Sequence, residues 1–150
     1  MKKIALAAAC FLAAPLAIAG PFDSIKGKMK PGLYENKIEM DMGAMPGLPP
    51  GMSKQTTTQQ KCVTQKEIDE DPVSPKGNRK DEQCEFKDVK TSGDTTTYKM
   101  VCPKNNMVAD GRMSFTSSGY VMETNMTMDQ GGQKMNMKQR TEGKYLGPCK

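Results

Sequence analysis

Histidine and tryptophan are both missing from the 150 residues of the chain, and other aromatic residues are few, with 4 Tyr and 4 Phe. Histidine is the commonest general base and the commonest metal ligand in proteins. Its absence therefore excludes His-based catalytic triads, ordinary zinc sites and mixed imidazole copper sites. The charge balance of 22 basic and 17 acidic residues does not favour nucleic acid as a partner. The length is that of one domain.

The long apolar run of the chain lies at its N-terminus. Lys2 and Lys3 precede an apolar stretch over residues 4–18, which ends in Ala17-Ile18-Ala19, a small-x-small cleavage signal. Residues 1–19 are therefore expected to be a signal peptide, cleaved after Ala19, that directs the chain to the periplasm. No second run of about 18 apolar residues follows, so the mature chain is not expected to be transmembrane.

A lipoprotein signal is the alternative for this leader. Ala7-Ala8-Ala9-Cys10 resembles a lipobox, which would make Cys10 a lipidated N-terminus. Cleavage after Ala19 is favoured, because the apolar run before Cys10 is shorter than the usual h-region of about 7–15 residues. Residues 20–31 are expected to be a lead-in segment, with order beginning near Gly32, which leaves residues 32–150 as a single domain.

Four cysteines follow the predicted leader, an even number in an oxidising compartment, so two disulfides are expected. They are Cys62, Cys84, Cys102 and Cys149. Three connectivities are possible. Scarcity of ordinary core residues makes these bonds important, since beyond residue 19 the chain has 13 Met against 12 Val, Ile and Leu together.

A hairpin signal at Ser92-Gly93-Asp94 chooses among the connectivities. Folding residues 84–102 about Gly93 sets Cys84 opposite Cys102, which predicts Cys84–Cys102 and Cys62–Cys149 as the pairs. A two-residue loop at Gly93-Asp94 would shift this register by one and misplace the sulfurs. The Gly93-centred register makes two further pairs, Phe86 with Met100 and Asp88 with Tyr98.

Apolar and polar residues alternate along several further segments, which predicts strands over residues 33–42, 108–115, 120–128 and 134–145. Residues 53–63, which are rich in Thr and Gln, are expected to form another strand. Two-residue turns at Ser117-Ser118 and Gly131-Gly132 would place large apolar residues on one face. The pairs they predict are Phe115 with Tyr120, Met113 with Met122, Met128 with Met135, and Met126 with Met137.

These elements predict an all-β fold, an antiparallel meander of about seven strands with one apolar face. The spacing of Thr64-Gln65-Lys66-Glu67 is that of a capping box and predicts one short helix. A sheet of this size must curl or be covered, so a small barrel or half-barrel is expected. An immunoglobulin-like sandwich is the alternative, although the Trp that marks that fold is missing.

Several short stretches resemble a known family. They are Pro31-Gly32-Leu33-Tyr34-Glu35, the Met/Pro/Gly loop at 42–52, Gln55-Thr56-Thr57-Thr58 leading to Cys62-Val63-Thr64, and residues 84–102 around Ser92-Gly93-Asp94. Together they resemble domain of unknown function 3617, a family of small secreted proteins of Gram-negative bacteria, over about residues 30–149. Tyr34 stands where a Trp usually follows Pro-Gly-Leu. The resemblance implies secretion and an all-β fold, and it supplies no accepted activity.

The most unusual feature of this sequence is a set of closely spaced methionines. Three Met-x-Met pairs each project two thioethers from one face of a strand. They are Met40 with Met42, Met126 with Met128, and Met135 with Met137. Soft thioethers select Cu(I), so a Met-based Cu(I) carrier is one hypothesis. A plastic core in which Met replaces scarce Leu and Ile is the favoured interpretation, since alternation alone would place these residues inside.

A Pro-rich loop is the second candidate site. Met45, Pro46, Leu48, Pro49 and Pro50 could form a pre-extended apolar ridge for a partner, or a hairpin connection folded over the sheet. An envelope protein or a small apolar ligand is the expected kind of partner. No catalytic residue and no cofactor is expected, and the sequence predicts a non-catalytic periplasmic binding or structural module.

Overall fold

The computed structural model describes residues 22–43, 49, 51–70 and 84–150, the side chains of Ser24, Glu70 and Gln130 excepted. Two short helices, α1 (Asp23–Lys26) and α2 (Gln65–Glu70), accompany seven strands, and a 3-10 turn spans Pro103–Asn105. The strands are β1 (Gly32–Asp41), β2 (Lys54–Val63), β3 (Glu85–Ser92), β4 (Thr95–Cys102), β5 (Met107–Thr116), β6 (Gly119–Gln130) and β7 (Gln133–Gly147).

All seven strands join one antiparallel sheet in the order β2-β1-β7-β6-β5-β4-β3. Strands β3 to β7 form the expected meander, and β1 pairs with β7 on one side and β2 on the other. The edge strands β2 and β3 are not paired with each other. The all-β prediction is therefore confirmed in its open form; the closed small barrel is wrong, and the described strands do not form a two-sheet sandwich.

Two hairpin turns lie where the sequence predicts them. Gln130 pairs with Gln133 across Gly131-Gly132, and both turn glycines have positive φ, 62° and 87°. This conformation suits a two-residue turn that follows the right-handed twist of the strands. Ser117-Ser118 likewise connects β5 and β6. All four predicted side-chain pairs are confirmed: Phe115 with Tyr120, Met113 with Met122, Met126 with Met137, and Met128 with Met135.

The β3–β4 hairpin contains a β-bulge that the sequence does not predict. Ser92 pairs with Thr95, so the turn has two residues and the register beside it is shifted by one. A second shift, between Lys87 and Lys90, reverses the first, and there Asp88 has a φ of 53°. An added bulge residue in one strand restores the register farther along the hairpin.

Because of the bulge, one of the two predicted cross-strand pairs is absent and the other is present. Phe86 faces Met100 as predicted. The pairing of Asp88 with Tyr98 is wrong, because Asp88 lies exposed in the bulge whereas Tyr98 is buried. Val89 instead packs against the buried cluster that contains Tyr98. The extra residue thus brings the cysteines into register despite the shorter turn.

Residues 22–29 contribute to the core, so the expectation that order begins near Gly32 is wrong. Ile25, on α1, is fully buried, and Phe22 is 7% exposed. The Phe22 ring packs edge-on against Phe86 and Tyr98, with centroid distances of 4.8 and 5.7 Å. These two apolar residues cover one end of the sheet, which contributes Met113, among others, to the same cluster.

Helix α2 covers the neighbouring part of the same end. The predicted capping box is confirmed, since the Thr64 backbone N–H donates to Glu67 Oε2 at 2.8 Å and the Glu67 N–H donates to Thr64 Oγ1 at 3.2 Å. The cap starts the helix directly after β2. Ile68 then reaches Tyr34 and Val63 and is 1% exposed.

Two disulfides connect the ends of the sheet, with the pairing that the sequence predicts. Cys84 and Cys102 join β3 to β4, with their Cα atoms 4.2 Å apart. Cys62 and Cys149 connect the end of β2 to the segment after β7, across a sequence separation of 87 and a Cα distance of 5.7 Å. The second bond therefore ties the C-terminal segment to an edge strand.

Candidate functional site

The apolar face of the sheet is divided along the strand direction into a covered end and a methionine-rich end. Helices α1 and α2 pack over the covered end, where Met29 and Tyr120 contact both buried clusters. Farther along β6, alternation brings Met126 and Met128 to the same face. Neither of them belongs to a buried cluster among the described residues.

We call this second region the methionine patch, formed by half-buried residues of β6 and β7 and by the residue that follows β1. Its members are Met42, Met126, Met128, Met135 and Met137. Met126 lies directly opposite Met137, and Met128 lies directly opposite Met135. Opposed residues on one face of an antiparallel pair have Cβ atoms about 4.5–5.5 Å apart. Four thioethers on two adjacent strands are thus brought together, as the sequence predicts.

The β1–β7 register adds Met42 to the patch. The last β1 pair joins Asp41 to Lys138, and an added Cβ at Gly43 would lie 2.9 Å from the Asn136 carbonyl oxygen. Met42 therefore stands beside Met137. Met40 is also half-buried but lies opposite Gln139, one cross-strand row away, so it borders the patch without joining the two opposed pairs.

Two methionines that the sequence does not predict for this site border the patch on its other side. Met107 pairs with Met128, and Met100 lies next to Ala109, which pairs with Met126. The predicted strand starts one residue too late, at Val108. Continued alternation through Met107, Ala109 and Gly111 is the signal that could have found the first of them.

Burial separates the patch from the packed core. Met113 is 2% exposed and Met107 is 6% exposed, whereas all five patch residues are half-buried. Met113 and Met107 are therefore buried residues of the apolar face. Patch residues differ, because part of each side chain is in contact with solvent.

The chemistry of the patch is neutral and soft. Lys134, Asn136 and Lys138 alternate with the patch residues of β7, so their exposed side chains belong to the opposite face. Residues 22–43, 51–70 and 84–150 hold no group of three or more His, Cys, Asp or Glu able to bind a metal. Thioether sulfurs are therefore the ligands that this surface offers.

A protein-family model matches most of the chain, including the residues that form the patch. Residues 29–149 match the family model described as "Protein of unknown function (DUF3617)". The chain belongs to the DUF3617 family. The match begins at Met29 and ends at Cys149, so it contains all seven strands, both disulfides and the whole methionine patch of this DUF3617 chain. No curated protein and no solved structure matches it.

Most of the Pro-rich candidate loop of this DUF3617 chain lies outside the described residues, namely Met45, Pro46, Leu48 and Pro50. Pro49 is described; it is exposed, and its carbonyl oxygen accepts a hydrogen bond from the Met52 N–H at 3.2 Å. The hypothesis of a partner-binding ridge therefore stays a prediction.

The opposite face carries charges that pair with one another. Arg140 donates to Glu123 at 2.7 Å and also to Glu142, and hydrogen bonding to Glu142 is the main cause of its raised pKa. A shallow depression of about 490 Å³ on this face is lined by both acidic and basic side chains, including Asp41 and Lys138. Its arginine is already held by two carboxylates and is therefore not free to bind an anion.

Proposed function

We propose that this DUF3617 chain is exported to the periplasm and acts there as a non-catalytic binding module whose binding surface is the methionine patch. The observation that carries the proposal is the division of the apolar face, with helices over one end and half-buried methionines at the other. Flexible thioether side chains adapt to irregular surfaces and are frequent at binding surfaces.

Export is supported by the N-terminal leader and by the two disulfides, which persist in oxidising compartments. The exported protein is then expected to begin at Gly20, and lipidation at Cys10 would be the alternative outcome in its intact mass. Among the described residues, no helix is long and apolar enough to cross a membrane.

A non-catalytic role is supported by the composition. The chain has no histidine, so the commonest general base is missing. Ser117 and Ser118, which could otherwise be considered as nucleophiles, are exposed in a hairpin turn. Activation of a serine requires an adjacent base.

Labelling of methionine in cells tests the proposal. An oxaziridine reagent that labels thioether sulfur would be applied to the purified protein and to cells that export it, with Met52, 57% exposed, as the internal reference. We expect Met126 and Met137 to be labelled less in cells than in the purified protein, relative to Met52, because a ligand occupies the patch. Equal relative labelling would contradict a binding role.

A further inference from the structure

We propose that the ligand of the methionine patch is monovalent copper, held by the thioether sulfurs of the two opposed pairs. This inference rests on the proposed function and names the chemical class of its ligand. It is based on the register of β6 and β7, which sets Met126 opposite Met137 and Met128 opposite Met135.

The geometry supplies several soft ligands within one small area. In each Met-x-Met pair the side chains project from the same face, and the two strands place the pairs side by side. A methionine side chain has three rotatable bonds, so its sulfur can move toward an ion without a change in the backbone. Met42, beside Met137, is a further thioether within reach of that area.

The ligand chemistry favours Cu(I) over the divalent ions. Thioethers are soft ligands, and soft ligands select Cu(I). The histidine that would bind Cu(II), nickel or zinc is missing from the chain, and the four cysteines of residues 20–150 are held in disulfides. Because the sulfurs are neutral, a divalent ion on this apolar face would keep its full charge, which is costly in a low-dielectric environment.

Methionine can also simply fill space in a packed core. Partial burial of both residues in each opposed pair distinguishes the methionine patch from such a core. Met113 and Met122 are also directly opposed on this face. Met122 is half-buried like the patch residues, but Met113 is 2% exposed and packs in the cluster under α1. In the patch both residues of each opposed pair are half-buried, which leaves a path for an ion to enter. The Met113–Met122 pair is therefore a matched control within the same sheet.

Anaerobic titration of the disulfide-intact protein with Cu(I), against a chromophoric Cu(I) chelator, tests the assignment. We expect one Cu(I) to be taken from the chelator. The Met126→Leu/Met137→Leu variant should bind Cu(I) at least about tenfold more weakly. Two ligands are lost, and loss of a residue that only supports a metal ligand already costs about that much in affinity. Met113→Leu/Met122→Leu should bind like the parent. Leucine keeps the apolar volume, and circular dichroism checks the fold of both variants.

The pH dependence gives a second readout that a fold defect would not mimic. Thioether sulfur carries no proton to lose, unlike Cys or His ligands, so Cu(I) affinity should stay flat between about pH 5 and 8. Failure to remove Cu(I) from the chelator, or parent-like binding by Met126→Leu/Met137→Leu, would overturn the assignment.

The same labelling in copper-depleted cells separates this inference from the proposed function. If the patch becomes as reactive as in the purified protein when copper is withdrawn, Cu(I) is the occupant. If protection of Met126 and Met137 persists without copper, the Cu(I) assignment fails while the binding module stands.

Discussion

Tyrosine and glycine pair across neighbouring strands at two positions in the covered half of the sheet. Tyr120 pairs with Gly143, and Tyr98 pairs with Gly111. Each tyrosine ring lies over the glycine, since an added Cβ would come within 2.2 Å of the Tyr120 ring and 2.1 Å of the Tyr98 ring. The missing side chain at position 143 lets the Tyr120 hydroxyl extend across β7 and donate to Asn36 Oδ1 at 2.7 Å.

Substitution of Gly143 tests this packing. Gly143→Ala should lower the free energy of unfolding by about 1–3 kcal/mol, because the new methyl group overlaps the Tyr120 ring. Gly27→Ala is the control, since nothing lies within 4 Å of its added Cβ and its φ of −82° is ordinary. Urea unfolding should place this control within about 0.5 kcal/mol of the parent. Equal midpoints for the two variants would show that the ring does not lie over position 143.

The Tyr120 hydroxyl has a consequence at high pH. Burial is the main cause that raises its pKa from 10.0 to about 12. A pKa that is higher in the folded state gives stability that is complete below the unfolded value and is lost as the pH rises through the folded value. The parent should therefore lose stability between about pH 10 and 12 through this group.

Tyr120→Phe should remove that part of the alkaline loss. It keeps the ring over Gly143 but leaves buried Asn36 without its donor, which should cost about 1–3 kcal/mol at neutral pH. Urea unfolding at about pH 9 and about pH 11.5 should then show a shallower decline for the variant than for the parent. Parallel declines would mean that Tyr120 titrates normally in the folded protein.

At the scale of elements, local signals determine α2, and packing determines α1. The capping box of α2 is readable from Thr64 and Glu67, because reciprocal hydrogen bonds require those residue types at that spacing. No such signal precedes α1, which has no side-chain cap. Phe22 and Ile25 are ordered by contacts with residues distant in sequence, and composition alone indicates a lead-in segment there.

Loss of the cap should weaken α2 and its attachment to the sheet. Thr64→Ala removes the oxygen that accepts the Glu67 N–H, and we expect a loss of about 1 kcal/mol in the free energy of unfolding. Thr64→Ser keeps the hydroxyl and is the matched control, with nearly the parent stability. Thermal unfolding followed by circular dichroism measures both. A Thr64→Ser variant as unstable as Thr64→Ala would show that the threonine methyl group, rather than the cap, is what matters.

In the β3–β4 hairpin the sequence predicts the pairing of the cysteines but not the bulge. The sequence predicts Cys84 opposite Cys102 correctly, although the turn behind that prediction is centred on Gly93. The actual two-residue turn shifts the register, and the bulge at Asp88 shifts it back. A bulge adds one residue to one strand, and the hydrophobic pattern does not show where that residue is added. Aspartate is a residue type that adopts a positive φ more readily than most, as Asp88 does.

At the scale of the whole molecule, two covalent bonds compensate for a core with few aliphatic residues. The Cys62–Cys149 bond closes a sequence separation of 87 and Cys84–Cys102 one of 18. Chain-entropy estimates assign about 4.5 kcal/mol to the longer loop and about 3 kcal/mol to the shorter one. The net stability of a small domain is about 5–15 kcal/mol, so either bond is a large part of it.

Removal of each disulfide should therefore have unequal effects. Cys62→Ser/Cys149→Ser should lose more stability than Cys84→Ala/Cys102→Ala, by about 1–2 kcal/mol, because it releases the longer loop. Alanine is used for the second pair because Cys102 is 1% exposed and a serine there would bury a hydroxyl group. Urea midpoints under non-reducing conditions measure both variants. A larger loss for the Cys84–Cys102 pair would show that the hairpin bond contributes more than chain entropy.

The candidate site was predictable in its contacts but not in its exposure. Alternation and the Gly131-Gly132 turn suffice to place Met126 opposite Met137. Whether that pair is buried depends on what packs above the sheet, and helices α1 and α2 lie at the other end. Coverage of a sheet face is a tertiary property, so a period-two pattern cannot report it.

Residue-resolved peroxide oxidation of the purified, metal-free native protein tests the central claim most directly, namely that the methionine patch is accessible to solvent. We expect three rates, fastest at Met52, intermediate at Met126 and Met137, and slowest at Met113 and Met107, in the order of their exposure. Oxidation of Met126 and Met137 as slow as that of Met113 would contradict this claim, because the patch would then be closed core rather than a binding surface.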